Sequence, residues 1–137
     1  VLGLRQLLEL HALEKGFDNI DEEDIDRIER ASKTAFEKQE LSAYHKADRA
    51  LHRLFVEKTG NKRLMGFVNT LNSQIERISR VSEQYLKYLT DSYHEHMAII
   101  AALRSHDRTA STAALRKHLG LVEKRTLDTL AEVDLKK

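Results

Sequence analysis

Asp48 and His52 lie four residues apart in a helical pattern, and His96 and His118 recur on two later helical patterns. Residues at i and i+4 share one helix face, so Asp48 and His52 can address one ion together. His96 sits one turn before Ile99 and Ile100, and His118 is flanked by Leu115 and Val122. All four polar side chains therefore share faces with apolar residues. Polar groups on core faces cost free energy unless paired or coordinated. One carboxylate and three imidazoles suit a borderline divalent ion such as zinc, nickel or manganese, with positions left for water or a ligand oxygen. The competing reading is four separately satisfied core polar residues, and spacing alone leaves both open.

The remaining histidines offer less. His94 is two residues from His96 and so faces nearly the opposite way, toward solvent. His45 falls one turn out from His52, and an exposed position is expected. His11 falls on the inner side of the first helical pattern and reads as a core histidine. The His106-Asp107 pair is like the metal-binding dipeptide of helical phosphohydrolases, but it sits at a helix start, where Asp is an ordinary N-cap, and is read as structural. A His-Glu-x-x-His zinc-protease motif, a Glu-x-x-His di-iron pair, a phosphate-cradling glycine loop and a serine-nucleophile elbow are all missing from the sequence.

The elements that must position these residues are helices. In 137 residues there are no prolines and five glycines, with 41% hydrophobic and 33% charged residues, a balance that fits one domain with a real core and solvated helix faces. The formal net charge of +1 gives no basic excess of the kind nucleic-acid-binding domains carry. Without cysteine, disulfides and thiolate metal sites are excluded; a reducing, cytoplasmic setting fits. No apolar run approaches the roughly 20 residues of a membrane span, and no signal peptide is visible. The chain opens at Val1 directly in helical pattern, as expected of a domain whose N-terminal portion is missing.

Six helical segments are predicted, and no strand. The first covers about Val1–Lys15, with Leu4, Leu7 and Leu8 on its inner face and Gly16 as C-cap. Asp18 or Asp21 opens the second, whose stripe is Ile25, Ile28, Ala31, Ala35 and Phe36. Ser42 caps a third with Tyr44, Asp48, Leu51, His52 and Phe55 on one face. Thr59-Gly60-Asn61 stops it. The fourth carries Leu64, Phe67, Val68, Leu71, Ile75 and Ile78 at helical spacing, and a break falls near Ser82–Tyr85. The fifth ends near Ser105 with His96, Ile99, Ile100 and Leu103 inward. Asp107 or Thr109 caps the sixth, with Leu115, His118, Leu119 and Val122 inward. Short connections predict an all-α antiparallel bundle.

Asp48-Arg49-Ala50-Leu51-His52 followed by Thr59-Gly60-Asn61 resembles the D-x-x-F-H … G-N signature of the FCD domain, the effector-binding domain of one GntR subfamily of bacterial transcriptional regulators. Glu95-His96-x-x-Ile99, then Ala102-Leu103, Asp107, Ala110 and His118-Leu119, resembles the family's second signature. Arg5-x-x-x-Glu9 resembles the R-x-x-x-E of its first helix. The resemblance runs from Val1 to about Lys124; Leu51 departs from the usual Phe, and the first helix is less alanine-rich than usual after Glu9. It implies an all-α bundle (about six helices) around a ligand and metal cavity, spanning 1–137. It implies a divalent ion on Asp48, His52, His96 and His118, a small organic acid as effector, and a homodimer. It also implies DNA binding only through an N-terminal winged helix-turn-helix absent from this chain. Arg5 and Arg77 are the expected effector contacts, because a guanidinium matches a carboxylate bidentately. The reading is of a non-enzymatic sensing domain. A metal-dependent hydrolase would need a general base, which the sequence does not offer beyond Asp48, and a purely structural helical dimerisation module is the third possibility.

Overall fold

A computed structural model describes residues 2–80 and 88–135, with side chains described over 3–74 and 88–131. The predicted break near Ser82–Tyr85 lies outside the described residues. Six helices follow in order: α1 (Leu2–Gly16), α2 (Glu22–Lys38), α3 (Leu41–Glu57), α4 (Lys62–Arg80), α5 (Leu89–Arg104) and α6 (Arg108–Leu135), with a 3-10 turn at Phe17–Asn19. No strand occurs among the described residues. Pairings of α5 with α6, α2 with α3 and α5, and α1 with α3, α4 and α6 build the bundle.

The core is one cluster of apolar side chains from all six helices and the turn before α2. Leu13, Ile20, Ile25, Ile28, Leu51, Phe55, Val68, Ile99, Ile100, Leu103, Leu115 and Leu119 belong to it. Each such side chain contributes roughly 1.5–3 kcal/mol on burial. A smaller cluster of Ala35, Tyr44, Ala47 and Leu89 closes the bundle beside it.

Polar chemistry sets the helix ends. Asp21 caps α2 in a reciprocal box: its Oδ1 accepts from the Asp24 amide at 2.8 Å, and Asp24 Oδ2 accepts from the Asp21 amide at 3.1 Å. Ser42 does not cap α3. The helix begins at Leu41 with Glu40 before it, which places Ser42 within the first turn rather than in front of it. Thr59-Gly60-Asn61 acts as expected: Gly60 takes φ +70°, and Asn61 Oδ1 accepts from the Leu64 amide at 3.1 Å, opening α4. At the α5–α6 corner His106 takes a left-handed φ of 54°. The amides of His106 and Asp107 bond back to Leu103 and Ala102, a Schellman-type stop. Asp107 then accepts from the Ala110 amide. The His106-Asp107 dipeptide is turn chemistry.

Gly16 serves a purpose other than the expected left-handed cap, since its φ is −96°. A Cβ there would lie 2.9 Å from both the carbonyl carbon and the Cβ of Lys58, so glycine lets the end of α1 meet the end of α3. Lys58 also receives Asn19 on its carbonyl and reaches Asp24 Oδ2 through Nζ at 2.8 Å.

Two apolar stripes are turned differently from expectation. In α1 the inner face is Arg5, Glu9, Ala12 and Leu13, all buried, while Leu4 is 42% and Leu7 69% exposed; of the three leucines expected inward, Leu8 alone packs against the core. The rotation also puts His11 in solvent. In α4 Val68 and Leu71 are buried but Phe67 is 60% exposed; the side chains of Ile75 and Ile78 lie outside the described residues.

Asp24 gives this corner a pH dependence. Burial pushes its carboxyl up, but the bonds from Lys58 and the Asp21 backbone outweigh that and hold it below the usual range. A carboxyl lowered on folding contributes stability above its unfolded value, near pH 4, and loses it as pH falls through the folded value. Asp24→Asn is expected to lower stability by about 1–2 kcal/mol at neutral pH. Its denaturation midpoint should change less than the parent's between pH 5 and pH 3, which urea titrations across that range will check.

Candidate metal centre

Asp48 and His52 come from consecutive turns of α3, His96 from the middle of α5 and His118 from the first half of α6. Each helix presents its residue because apolar neighbours anchor that face: Leu51 and Phe55 on α3, Ile99 and Ile100 on α5, Leu115 and Leu119 on α6. The three histidines are each 1% exposed, and the Asp48 side chain is 25% exposed, so the carboxylate forms the solvent-facing edge.

The four ligand-type atoms form a closed ring. Asp48 Oδ1 lies 3.3 Å from His52 Nε2 and 3.0 Å from His96 Nε2. His118 Nε2 lies 3.3 Å from His52 Nε2 and 3.2 Å from His96 Nε2. All four fall within 4.8 Å of one another. Bonds of about 2.0–2.2 Å to a divalent ion place neighbouring ligand atoms about 3.0–3.5 Å apart, and the ring edges match that range.

The outer nitrogens explain why the inner ones face one another. His52 Nδ1 contacts Glu9 Oε1, and His118 Nδ1 is 2.6 Å from Glu95 Oε1. A carboxylate only accepts, so each Nδ1 carries the proton. In the neutral imidazoles the lone pairs then point inward from Nε2. Two such lone pairs at 3.3 Å repel unless a cation stands between them or one ring is protonated. This arrangement of carboxylate, histidine and inward nitrogen is the one metal-binding histidines use. The residues therefore fit a divalent ion.

Electrostatics agree with the geometry. Burial alone would lower His52, but Glu9 and Asp48 outweigh it and Arg5, raising the imidazole to about 9. Burial lowers His118 to about 3 despite the bond to Glu95, and the neighbouring His96 and His52 push the same way. Burial would raise Asp48, yet the facing His52 and His96 hold it well below the usual carboxylate range. Glu9 is likewise lowered against its burial by His52 and Arg5. Positive charge is thus favoured inside the ring, between carboxylates already ionised.

Glu9 and Glu95 were missed as site residues, although both stand in the motifs quoted above. The only local signal was their place beside other motif residues; what they touch is distant in sequence. Arg125 grips Glu95 with two bonds of 2.7 Å, reaches Ser92 Oγ at 3.3 Å and lies over the Tyr88 ring. Burial raises Glu95, but Arg125 and His118 together bring it to about 2. Tyr44 stacks on His96 with ring centroids 6.0 Å apart and an interplanar angle of 8°.

Arg5 is buried, with Nε 2.8 Å from Glu9 Oε2. Arg77 belongs to α4, and its side chain lies outside the described residues. His94 and His106 are exposed and His45 half-buried, none of them in the cluster.

The sequence profile of the FCD domain matches residues 1–121. Two solved structures superpose over nearly the whole chain, both of the FCD domain of TM0439, named as a candidate transcriptional regulator. The metal-free form aligns with a TM-score of 0.84 and 24% identity, covering 96% of this chain and 91% of that one. The Zn2+-bound form aligns with a TM-score of 0.80 and 25% identity, covering 94% and 90%. A comparison with curated proteins finds no significant match.

Removing the guanidinium behind Glu95 should be costly. Arg125→Met leaves a mostly buried carboxylate with His118 alone, and a loss of about 2–3 kcal/mol is expected. Arg125→Lys should recover only part, because an ammonium cannot make the paired contact. Equal stabilities of all three proteins in urea would show that Arg125 does not hold Glu95.

Proposed function

The chain belongs to the FCD domain family, and from that premise we propose that it is the metal-assisted sensing domain of a GntR-type transcriptional regulator. Asp48, His52, His96 and His118 would hold a divalent ion: zinc, nickel or manganese. The observation that carries this reading is the ring of four ligand atoms with edges of 3.0–3.3 Å, two of whose imidazoles are backed by buried or half-buried carboxylates. Such an ion, when bound, supplies a Lewis-acid anchor for an anionic oxygen. The chain's own residues set its geometry. Glu9 and Glu95 fix the tautomers, the apolar flanks fix the ring orientations, and the 25% exposed Asp48 marks the side from which a small ligand would approach.

The proposed effector is a small organic acid, with Arg5 and Arg77 as its charge partners. Sensing needs a ligand that binds two states of the regulator unequally. The proposal therefore extends to the whole protein: a cytoplasmic homodimer in which residues 1–137 form the effector-binding and dimerisation domain, with DNA bound through a winged helix-turn-helix outside this chain. Exposed Leu4 and Leu7 on α1 and Leu127 and Leu130 on α6 supply apolar surface for the dimer. The two helices run side by side, Gln6 Nε2 meeting Glu123 Oε2 at 2.5 Å. No described helix is long and apolar enough to cross a membrane.

A non-enzymatic role fits the placement of the carboxylates. The two carboxylates beside the ring, Glu9 and Glu95, are committed to the Nδ1 atoms behind His52 and His118, so neither is aimed at a water on the ion's open side as a hydrolytic base would be.

Metal-stripped protein titrated with Zn2+, Ni2+ or Mn2+ should bind one ion per chain and gain about 2.7 kcal/mol at a hundredfold excess over Kd. His96→Ala should bind far more weakly. Organic acids should bind the loaded domain and not the stripped one. Absence of any bound ion and of any thermal shift would leave the structural dimerisation module as the answer, and phosphoester or amide turnover lost in His96→Ala would favour the hydrolase.

A further inference from the structure

α1 contributes none of the four ring residues, yet it touches the ring directly. Glu9 is fully buried and meets His52 Nδ1 through Oε1, while Arg5 Nε holds its Oε2 at 2.8 Å. Across the site Glu95 and Arg125 stand behind His118 in the same order. The two arms join different things. Glu95 and Arg125 lie on α5 and α6, helices that already share the ring through His96 and His118. The Arg5–Glu9 arm brings in a helix with no ring residue of its own.

We infer that Glu9, held by Arg5, is a positioning residue that keeps His52 as an Nε2 ligand and couples ion binding to the docking of α1. The inference rests on the metal reading above. When a cation withdraws density from an imidazole through Nε2, the opposite N–H becomes a better donor, so the His52–Glu9 bond strengthens. Coupling is reciprocal: whatever the ion adds to α1 docking, α1 docking adds to ion affinity. The outward turn of Leu4 and Leu7 sharpens the point. The N-terminal half of α1 has Arg5 and Glu9 where another helix would bury leucines, so its hold on the bundle depends more on this polar chain than on apolar contact.

The test compares the protein with Glu9→Gln, which keeps the shape and an acceptor oxygen but removes the charge. Zn2+ affinity is measured by chelator competition and local stability by hydrogen exchange with and without Zn2+. The variant should bind Zn2+ about 10–100-fold more weakly. In the parent, Zn2+ should slow exchange in α1 as well as in α3, α5 and α6; in the variant, at saturating Zn2+, the slowing in α1 should be lost while that in α5 and α6 remains. Equal affinity and equal α1 protection in the two proteins overturn the inference and leave the metal reading standing. Failure of the parent to bind any of Zn2+, Ni2+ and Mn2+ overturns the metal reading and this inference with it. If the variant does not fold, nitrogen-15 spectra of Zn2+-loaded parent decide: a slowly exchanging Nδ1 proton on His52 with a metal-shifted Nε2 is expected, and ligation through Nδ1 or an unprotected Nδ1 proton overturns the assignment.

Discussion

Two imidazoles whose inner lone pairs face one another inside an apolar bundle, those of His52 and His118, repel unless positive charge sits between them, and much of this molecule is arranged around that constraint. The Nε2 atoms of His52 and His118 are 3.3 Å apart, each with a carboxylate behind it demanding a proton on the other nitrogen. The inner lone pairs cannot relieve one another by hydrogen bonding while both rings are neutral. A proton on His52 meets the demand in part; a divalent ion meets it for all four ring atoms at once. Charge also decides the sign for the surrounding acids. Glu9 and Asp48 would be raised by burial, yet both are lowered because positive charge faces them. Replacing the ring with apolar residues would remove the demand, but Glu9 and Glu95 would each lose an imidazole partner and keep only Arg5 and Arg125, an ion pair that seldom recovers its desolvation alone.

The helices make such a site tolerable by surrounding it with well-packed apolar layers. Leu51, Phe55, Ile99, Ile100, Leu115 and Leu119 are all buried within one cluster, one helical turn or less from a ring residue. That packing fixes the rotation of each helix, hence the direction of each imidazole, before any ion contributes. The low local dielectric strengthens both arms of the site, Arg5–Glu9–His52 and Arg125–Glu95–His118, as much as it would penalise either arm with a member missing. The polar network and the hydrophobic core therefore specify each other.

Much of this was legible in the sequence because it is local. Asp48 and His52 share a face by spacing alone, and His96 and His118 carry their apolar flanks beside them, so the four converge wherever the helices pack antiparallel. Helix ends set by Asp21, Asn61 and Asp107 were legible for the same reason: a cap bonds to amides two or three residues away. What failed was the rotation of α1. Leu4, Leu7 and Leu8 predict an inner face by periodicity, but periodicity assumes that charge belongs outside. Arg5 and Glu9 are buried because His52 waits for Glu9 across the bundle, 43 positions along the chain, and no local pattern contains that fact. Gly16 was misread for a related reason. Its role is a close approach to Lys58, a tertiary contact, and a glycine at a helix end looks the same whether it supplies a left-handed turn or merely space.

The misread helix is also the informative one. A helix that turns two leucines to solvent and two charges to the core has given up apolar burial worth roughly 1.5–3 kcal/mol per side chain, and a structure persists in that state only if the buried charges are held by strong partners. Arg5 and Glu9 offset one another only partly, since an isolated buried ion pair seldom recovers its desolvation. The additional partner is His52. The stability of α1 docking thus depends on the charge state of a residue whose other nitrogen faces the ring. An ordinary amphipathic helix in the same place would dock with equal strength whatever occupied the ring. Here His52 joins the docked face of α1 to the ring through its two nitrogens, and a link of that kind is what the proposed sensing role would require of an element that does not itself hold the ligand.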